Sequence, residues 1–244
     1  MTLDKQKFTS SLNRIFDMNG LSRLLSREVS DRLFSLTEFM LTENEKYNLT
    51  AITDPDKIIL NHYADCAMLA VRLPKGAKVC DVGCGAGFPT LPIAIFRPDV
   101  TVTGIDSTAK RINYVTSAAQ LLGLDNVVCV TMRAEDGGKN PIYREKFDVV
   151  TARAVAELRV LAELCLPYAR VGGSFIAMKG KNAEFELNAA KRAIATLGGR
   201  NARTETVTLV GDDNASHPLI FIDKKEKTPA NYPRPYAQIS KKPL

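Results

Sequence analysis

Residues 79–89, Val-Cys-Asp-Val-Gly-Cys-Gly-Ala-Gly-Phe-Pro, hold the densest chemistry of the chain: an apolar run ends in Asp81 and three alternating glycines, Gly83, Gly85 and Gly87. Glycine lacks a Cβ, so it reaches positive φ and lets backbone come close to a ligand. Pro89 and Pro92 open a second apolar run. Together these read as strand, tight turn and helix start, with unpaired N–H groups at the turn. The chemistry implied is that of a nucleotide-type site. A dinucleotide fingerprint wants a third glycine at 88, where Phe stands. Asp81 would repel a pyrophosphate and suits a ligand that carries an ammonium and a sulfonium. A glycine-rich turn without a ligand is the competing reading.

The spacing, acid-x-Gly-x-Gly-x-Gly, resembles motif I of S-adenosylmethionine-dependent methyltransferases. The elements around it fit such a fold. Residues 78–82, 100–105, 127–131, 147–152 and 174–178 read as strands, with 204–210 and 219–222 as two late candidates. Helical patterns over 89–96, 108–122, 156–166 and 183–197 alternate with them. The expected class is therefore α/β: a Rossmann-like, mostly parallel sheet of about seven strands, covered by helices on both faces. Ahead of it, Leu12, Ile15 and Phe16, then Val29, Leu33, Leu36 and Met40, recur at helical spacing. We divide the chain into a helical cap (1–70), a methyltransferase domain (71–225) and a basic, proline-containing tail (226–244).

In open α/β sheets, ligands sit beyond the carboxyl ends of the strands, which selects a short series of residues. Asp106, with Ser107 and Thr108, follows the second strand, where an acid accepts bonds from ribose hydroxyls or caps the next helix. Arg133, Ala134 and Glu135 follow the third, as an adenine edge or a surface loop. Arg153 follows the fourth and offers five donors to a phosphate or a carboxylate. No Asn/Asp-Pro-Pro-Tyr/Phe motif for amino-group methylation stands there, and no Pro-Cys nucleophile. Lys179 and Lys181 follow the fifth, as an RNA rim or solvated charges. On a helix expected over 56–71, His62 and Asp65 share a face with Ile58 and Leu69; ligand or RNA contact competes there with a structural hydrogen bond.

The 244 residues are 45% hydrophobic, enough for one sizeable core, with no apolar run near the ~20 residues that span a bilayer. The polar N-terminus is not signal-like, and a soluble cytoplasmic protein is expected. Five cysteines without a CxxC pair read as free, buried thiols, and no metal is expected. The net charge is +6, and Lys224, Lys225, Lys227, Arg234, Lys241 and Lys242 stand against Asp223 and Glu226 at the C-terminus. Such a tail contacts nucleic acid or is simply solvated.

Together with the glycine turn, several further motifs resemble the RsmG family (glucose-inhibited division protein B) over roughly residues 40–225. They are Asn48-Leu49-Thr50, His62-x-x-Asp65, Phe88-Pro89-x-Leu91-Pro92, Arg97-Pro98, Asp106-Ser107, Arg133-Ala134-Glu135, Ala152-Arg153-Ala154 and Met178-Lys179-Gly180. The resemblance implies methylation of N7 of one guanine in 16S rRNA, with S-adenosyl-L-methionine as cofactor. Gly83, Phe88, Ala134, Glu135 and Arg153 would be cofactor contacts, joined on our reading by Asp81, Gly85, Gly87, Asp106, Ser107 and Thr108. Asn48, His62, Asp65, Arg133, Lys179 and Lys181 are the substrate candidates. The expected partner is 16S rRNA in the small ribosomal subunit, not DNA or a membrane, and the protein a monomer. Two positions depart from the family pattern: Cys84 replaces Thr or Ser, and Thr90 replaces Gly. Guanine N7 carries a free in-plane lone pair, so no general base or nucleophile is expected; Asp65 or Glu135 could balance the cationic product. A small-molecule methyltransferase and a non-catalytic, cofactor-sensing assembly factor are the alternatives.

Overall fold

The structure, a computed structural model, describes residues 3–153, 155–211 and 217–244, so Ala154 of the Ala-Arg-Ala motif lies outside the described residues. Seven strands form one sheet: β1 (Lys78–Val82), β2 (Thr101–Asp106), β3 (Val127–Thr131), β4 (Phe147–Arg153), β5 (Ala169–Met178), β6 (Gly199–Glu205) and β7 (Leu219–Lys224). Their order is β3-β2-β1-β4-β5-β7-β6. The first five are parallel, and β7 runs antiparallel to both β5 and β6. This is the expected class. Because β1 is flanked by β2 and β4, the winding reverses there, and a crevice opens beyond the ends of these strands.

The sixth strand differs from expectation. Residues 204–210 carry the apolar alternation, yet the edge strand is the polar Gly199–Glu205. Val207 and Leu209 are instead buried in a core shared with the N-terminal helices. An edge strand needs only backbone pairing, so its side chains carry no periodic signal.

One sheet face is covered by α5 (Thr90–Phe96) and α6 (Ala109–Leu121), with α1 (Lys5–Met18) and α2 (Arg27–Tyr47) packed beside them. Asp4 and Ser26 cap α1 and α2 by accepting from backbone N–H groups of the first turns. Phe8, Leu12, Ile15 and Phe16 form one buried face of α1. Phe16 packs on Phe96 of α5 at 5.8 Å between ring centroids, and Phe39 of α2 stacks on Tyr114 of α6 at 5.5 Å. The N-terminal helices thus share one hydrophobic core with the sheet. Each such buried side chain contributes roughly 1.5–3 kcal/mol.

Between α2 and β1 runs a rod. Asp54 caps α3 (Pro55–Ile58), six residues Ile59–Ala64 wind more widely as π-helix, and α4 (Asp65–Ala70) completes it. On the other sheet face lie α8 (Leu158–Cys165) and α9 (Ala183–Thr196).

The basic tail is a packed segment ending in α10 (Tyr236–Lys241). Lys224 is fully buried, and its ammonium donates to the carbonyls of Leu166 and Leu197, both at 3.0 Å, and to the Thr228 hydroxyl. Burial pushes its pKa down to about 8. Arg144 donates to the carbonyls of Thr228 and Tyr232 at 2.7 and 2.9 Å. Arg234 grips the fully buried Glu163 of α8, with Nη2 2.6 Å from Oε2 and Nε 2.9 Å from Oε1. Two of the six C-terminal bases are therefore internal fasteners. Among the described residues, no helix is long and apolar enough to cross a membrane.

Removing Arg234 strands a buried carboxylate, a class of change that costs about 3–5 kcal/mol. Arg234→Ala should lower the urea midpoint accordingly; a loss under ~0.5 kcal/mol would show that the pair does not hold the tail.

Candidate functional site

The glycine turn connects β1 to α5 with Gly83, Gly85 and Gly87 at φ of 78°, 54° and 84°. A Cβ on Gly83 would lie 2.7 Å from Val155 Cγ2, and one on Gly87 2.7 Å from Leu91 Cδ1. At Gly85 the nearest atom is 3.8 Å away, so this stretch of backbone faces open space. The N–H groups of Gly83 and Cys84 donate to the Ile105 carbonyl, and that of Gly85 donates to Asp106 Oδ2 at 3.0 Å. The turn is thereby fastened to the end of β2.

Asp81 does not line the cavity. It is fully buried behind the turn, where Thr90 Oγ1 donates to its Oδ2 at 2.6 Å, while Oδ1 has no hydrogen-bond partner among the described residues. Burial pushes its pKa up to about 6. The added bulk of Thr90 is accommodated by Gly104 on β2, where a Cβ would come within 3.2 Å of both Thr90 Oγ1 and Cys84 Sγ. Cys84 and Thr90 thus meet over one glycine.

A cavity of about 540 Å³ opens beyond β1, β2, β3 and β4. At one end, the Asp106 carboxylate accepts from Thr108 N at 2.8 Å as well as from Gly85 N, which leaves further lone pairs turned to the cavity. Ser107, Thr108 and Arg111 stand beside it. Arg133, Ala134 and Glu135 line the next stretch, where α7 (Ala134–Gly137) begins, and Tyr168 OH donates to the Ala134 carbonyl at 2.7 Å.

The other end is built from the rod. His62 stacks on Phe88 with centroids 4.5 Å apart and planes at 23°. Arg153 Nη2 donates to His62 Nδ1 at 2.9 Å and to the Asn61 carbonyl at 3.2 Å. Its Nη1 lies 3.3 Å from Asp65 Oδ2 and 3.6 Å from Cys66 Sγ. Asp65 Oδ1 lies 3.2 Å from His217 Nδ1. Burial, helped by the Arg153 charge, pushes the His62 pKa down to about 4, so the ring is neutral. Nδ1 also lies 3.2 Å from the Asn61 carbonyl, which a hydrogen on Nδ1 would serve, but the guanidinium is nearer at 2.9 Å and can only donate. Nδ1 therefore accepts, and the hydrogen sits on Nε2, 3.1 Å from Thr50 Oγ1.

Of the residues singled out by sequence, Gly83, Gly85, Phe88, Asp106, Ser107, Thr108, Arg133, Ala134, Glu135, His62 and Arg153 line this cavity. Gly87 packs beneath the turn on Leu91, and Asp65 lies behind Arg153 as its counter-ion. Asn48 is exposed and ends α2 in a left-handed conformation, φ 49°. Lys179 is drawn inward, donating to the Ala156 carbonyl at 2.8 Å and pairing with Glu186 at 2.7 Å, whereas Lys181 is exposed outside the cavity. Of Asn48-Leu49-Thr50 the sequence offered Asn48 as the candidate, whereas Thr50 lines the cavity, as do Arg111, Val155 and Tyr236, which it did not single out. Tyr236 arrives from the tail, and no local pattern marks it. Among the described residues, no cluster of His, Cys, Asp or Glu could hold a metal ion.

The profile of the family described as rRNA small subunit methyltransferase G matches residues 30–213. The ribosomal RNA small subunit methyltransferase G of Lactobacillus delbrueckii subsp. bulgaricus is 50% identical over 205 residues, 82% of this chain and 85% of the relative. That of Clostridium perfringens is 48% identical over 214 residues, 86% and 89% of the two chains. Two solved structures align with a TM-score of 0.54. M. jannaschii TYW2 in complex with AdoMet is 15% identical, over 66% of this chain and 74% of its own. A putative O-methyltransferase from Klebsiella pneumoniae is 14% identical, over 91% and 99%. At these identities the structural likeness speaks for the fold alone.

Thr90→Val would remove the hydroxyl that donates to the buried Asp81 carboxylate, leaving only the Thr90 backbone N–H beside it, and should cost about 1–3 kcal/mol in urea unfolding at pH 7; an unchanged midpoint would show that the hydroxyl contributes nothing. His62 binds its proton less readily when folded, from 6.5 down to about 4. Its contribution to stability is therefore complete above pH 6.5 and is lost as pH falls toward 4, by about 3 kcal/mol. Asp81 titrates in the opposite sense, with its folded pKa raised from 3.8 to about 6, so the wild type must be compared with His62→Gln. Parallel stability curves between pH 4 and 6.5 would refute the assignment.

Proposed function

Since the chain belongs to the rRNA small subunit methyltransferase G family and is an S-adenosyl-L-methionine-dependent methyltransferase of small-subunit rRNA, we propose that it methylates N7 of a single guanine in 16S rRNA by positioning, without a general base. The cavity suits the cofactor. Asp106 keeps acceptor capacity for ribose hydroxyls, the backbone at Gly85 faces open space, and Ala134 and Glu135 border the stretch suited to an adenine edge. When bound, S-adenosyl-L-methionine supplies an electrophilic methyl on a sulfonium.

The observation that carries the ring-nitrogen reading is the state of His62. Both of its nitrogens are spent, one accepting from Arg153 and the other directed at Thr50, and burial keeps it neutral. It is not available to take a proton. Burial likewise pushes the thiols of Cys66 and Cys84 up, away from the thiolate form a nucleophile needs. An acceptor that needs no deprotonation matches such a wall, and guanine N7 is one. Aligning its lone pair with the methyl at near-attack distance supplies up to roughly 7–11 kcal/mol of the barrier reduction. Arg133 and Lys181, both exposed, are the cations best placed for the RNA backbone, whereas Lys179 and Arg153 are occupied by the protein.

Incubation with radiolabelled S-adenosylmethionine and small subunits from cells lacking the enzyme should place label in N7-methylguanosine. Its kcat/KM should be flat between about pH 6 and 8. Label in any other nucleoside would overturn the N7 reading, and an acid limb with an apparent pKa near 6.5 would reinstate a histidine base.

A further inference from the structure

Thr50 stands on the cavity wall beside Leu49, His62 and Phe88, and its hydrogen bonds leave it one direction of use. The left-handed Asn48 ends α2. Asn44, one turn back, then clamps the Thr50 backbone from both sides, accepting from its N–H at 2.9 Å and donating to its carbonyl at 3.0 Å. The side chain is fixed as firmly. Thr50 Oγ1 accepts from Ile52 N at 3.0 Å and faces His62 Nε2 at 3.1 Å. Arg153 donates to His62 Nδ1, so Nε2 bears the hydrogen and is a donor too. A hydroxyl has two acceptor lone pairs and one hydrogen. Both lone pairs are taken, and what Thr50 has left is an O–H.

The topology places that donor at the acceptor end of the cavity. The ribose and adenine stretches lie beyond β2 and β3, whereas Thr50 is held through His62 by Arg153, at the end of β4 on the far side of the glycine turn. On a purine, the ring edge that carries N7 also carries the substituent at C6. Guanine presents there the O6 acceptor, and adenine an amino donor. A wall that can only donate accepts the first and is left facing a second donor by the other.

We infer that Thr50 is the specificity residue of this site, donating its hydroxyl hydrogen to O6 of the guanine whose N7 is methylated. The inference rests on the ring-nitrogen reading above. It gives Asn44, Ile52, His62 and Arg153 a common purpose as the groups that orient one hydrogen. Arg153 acts here through His62 as a positioning residue.

The test is a residue-by-atom cycle on small subunits reconstituted with 16S rRNA in which the target guanine is retained or replaced by 2-aminopurine, which keeps N7 and lacks O6. Wild type should lose ~10–100-fold in kcat/KM on 2-aminopurine. Thr50→Val should lose a similar factor on guanine, about 10–100-fold, and little more on 2-aminopurine. Thr50→Ser should restore the wild-type discrimination. Any difference in intrinsic reactivity between the bases cancels in the ratio, and so does a general loosening of the loop by Thr50→Val. Equilibrium binding of S-adenosylmethionine should stay within about threefold of wild type in both variants, less than one hydrogen bond's worth. Discrimination by Thr50→Val equal to wild type would overturn the inference, as would wild type that is indifferent to O6. A loss of cofactor affinity matching the loss of activity would assign Thr50 to the cofactor instead. Wild type that places no methyl on N7 of guanine would fail at the first step and overturn the ring-nitrogen reading itself.

Discussion

A guanidinium that is four-fifths covered has to be satisfied from every side, and that requirement at Arg153 organises the acceptor half of the molecule. Its side chain is 19% exposed. Leaving such a cation unpaired would cost several kcal/mol. The partners come from one segment, since Asn61 O, His62 Nδ1, Asp65 and Cys66 all belong to the rod ahead of β1. Residues 62, 65 and 66 share one side of the rod. Residues Ile59–Ala64 wind more widely as π-helix, and the Asn61 carbonyl within them accepts from Arg153, in keeping with the tendency of π-turns to occur at functional sites. The position of His62 over Phe88, and of Thr50 beyond it, follows from this anchorage.

The cofactor half is built on a different principle. The cavity there is lined by the glycine turn between β1 and α5, the strand ends and the Asp106 carboxylate. Such a site is specified by a few glycines and one acid in linear order. That is why the turn was legible in residues 79–89, and why four of the five parallel strands fell within a residue of the apolar runs, whereas β5 begins at Ala169, five residues ahead of the expected 174, because Arg170, Val171, Gly172 and Gly173 carry no apolar run. Asp81 shows the limit of this reading. An acid before a glycine turn looks like a ligand contact, yet its position is the last but one of a strand buried on both faces, and its charge is met from inside by Thr90. Only the packing of Gly104 against Thr90 and Cys84 discloses that these three positions are one solution.

The acceptor half was less legible because it is made of side chains that arrive from separate segments. His62 and Asp65 do share a helical face, but their meeting point is Arg153, some ninety residues later in the chain. Charge misled in a related way. A cluster of bases at the C-terminus has the composition of an RNA-binding tail, whereas Lys224 and Arg234 are spent on Leu166, Leu197 and Glu163 inside the fold. Lys179 is withdrawn for the same reason, by Glu186 and the Ala156 carbonyl. Composition counts charges and does not record which are already neutralised. The late strand failed on opposite grounds: the residues that alternate serve another core, and the strand itself has nothing to bury.

The two halves differ in what a substitution can do to them. Backbone geometry is indifferent to side-chain identity so long as the turn survives, and the side chains of Cys84 and Thr90 pack behind it against Gly104. At the acceptor end the direction of each hydrogen bond depends on the one before it: Arg153 fixes the tautomer of His62, and His62 fixes the sense of Thr50. A change at any link reverses or frees the next. On the proposed reading, selectivity for a base edge depends on a chain of orientations that begins at a buried cation, while the other end of the cavity rests on a glycine turn fastened to Asp106. Separating the two lets substrate choice change without rebuilding the cofactor site.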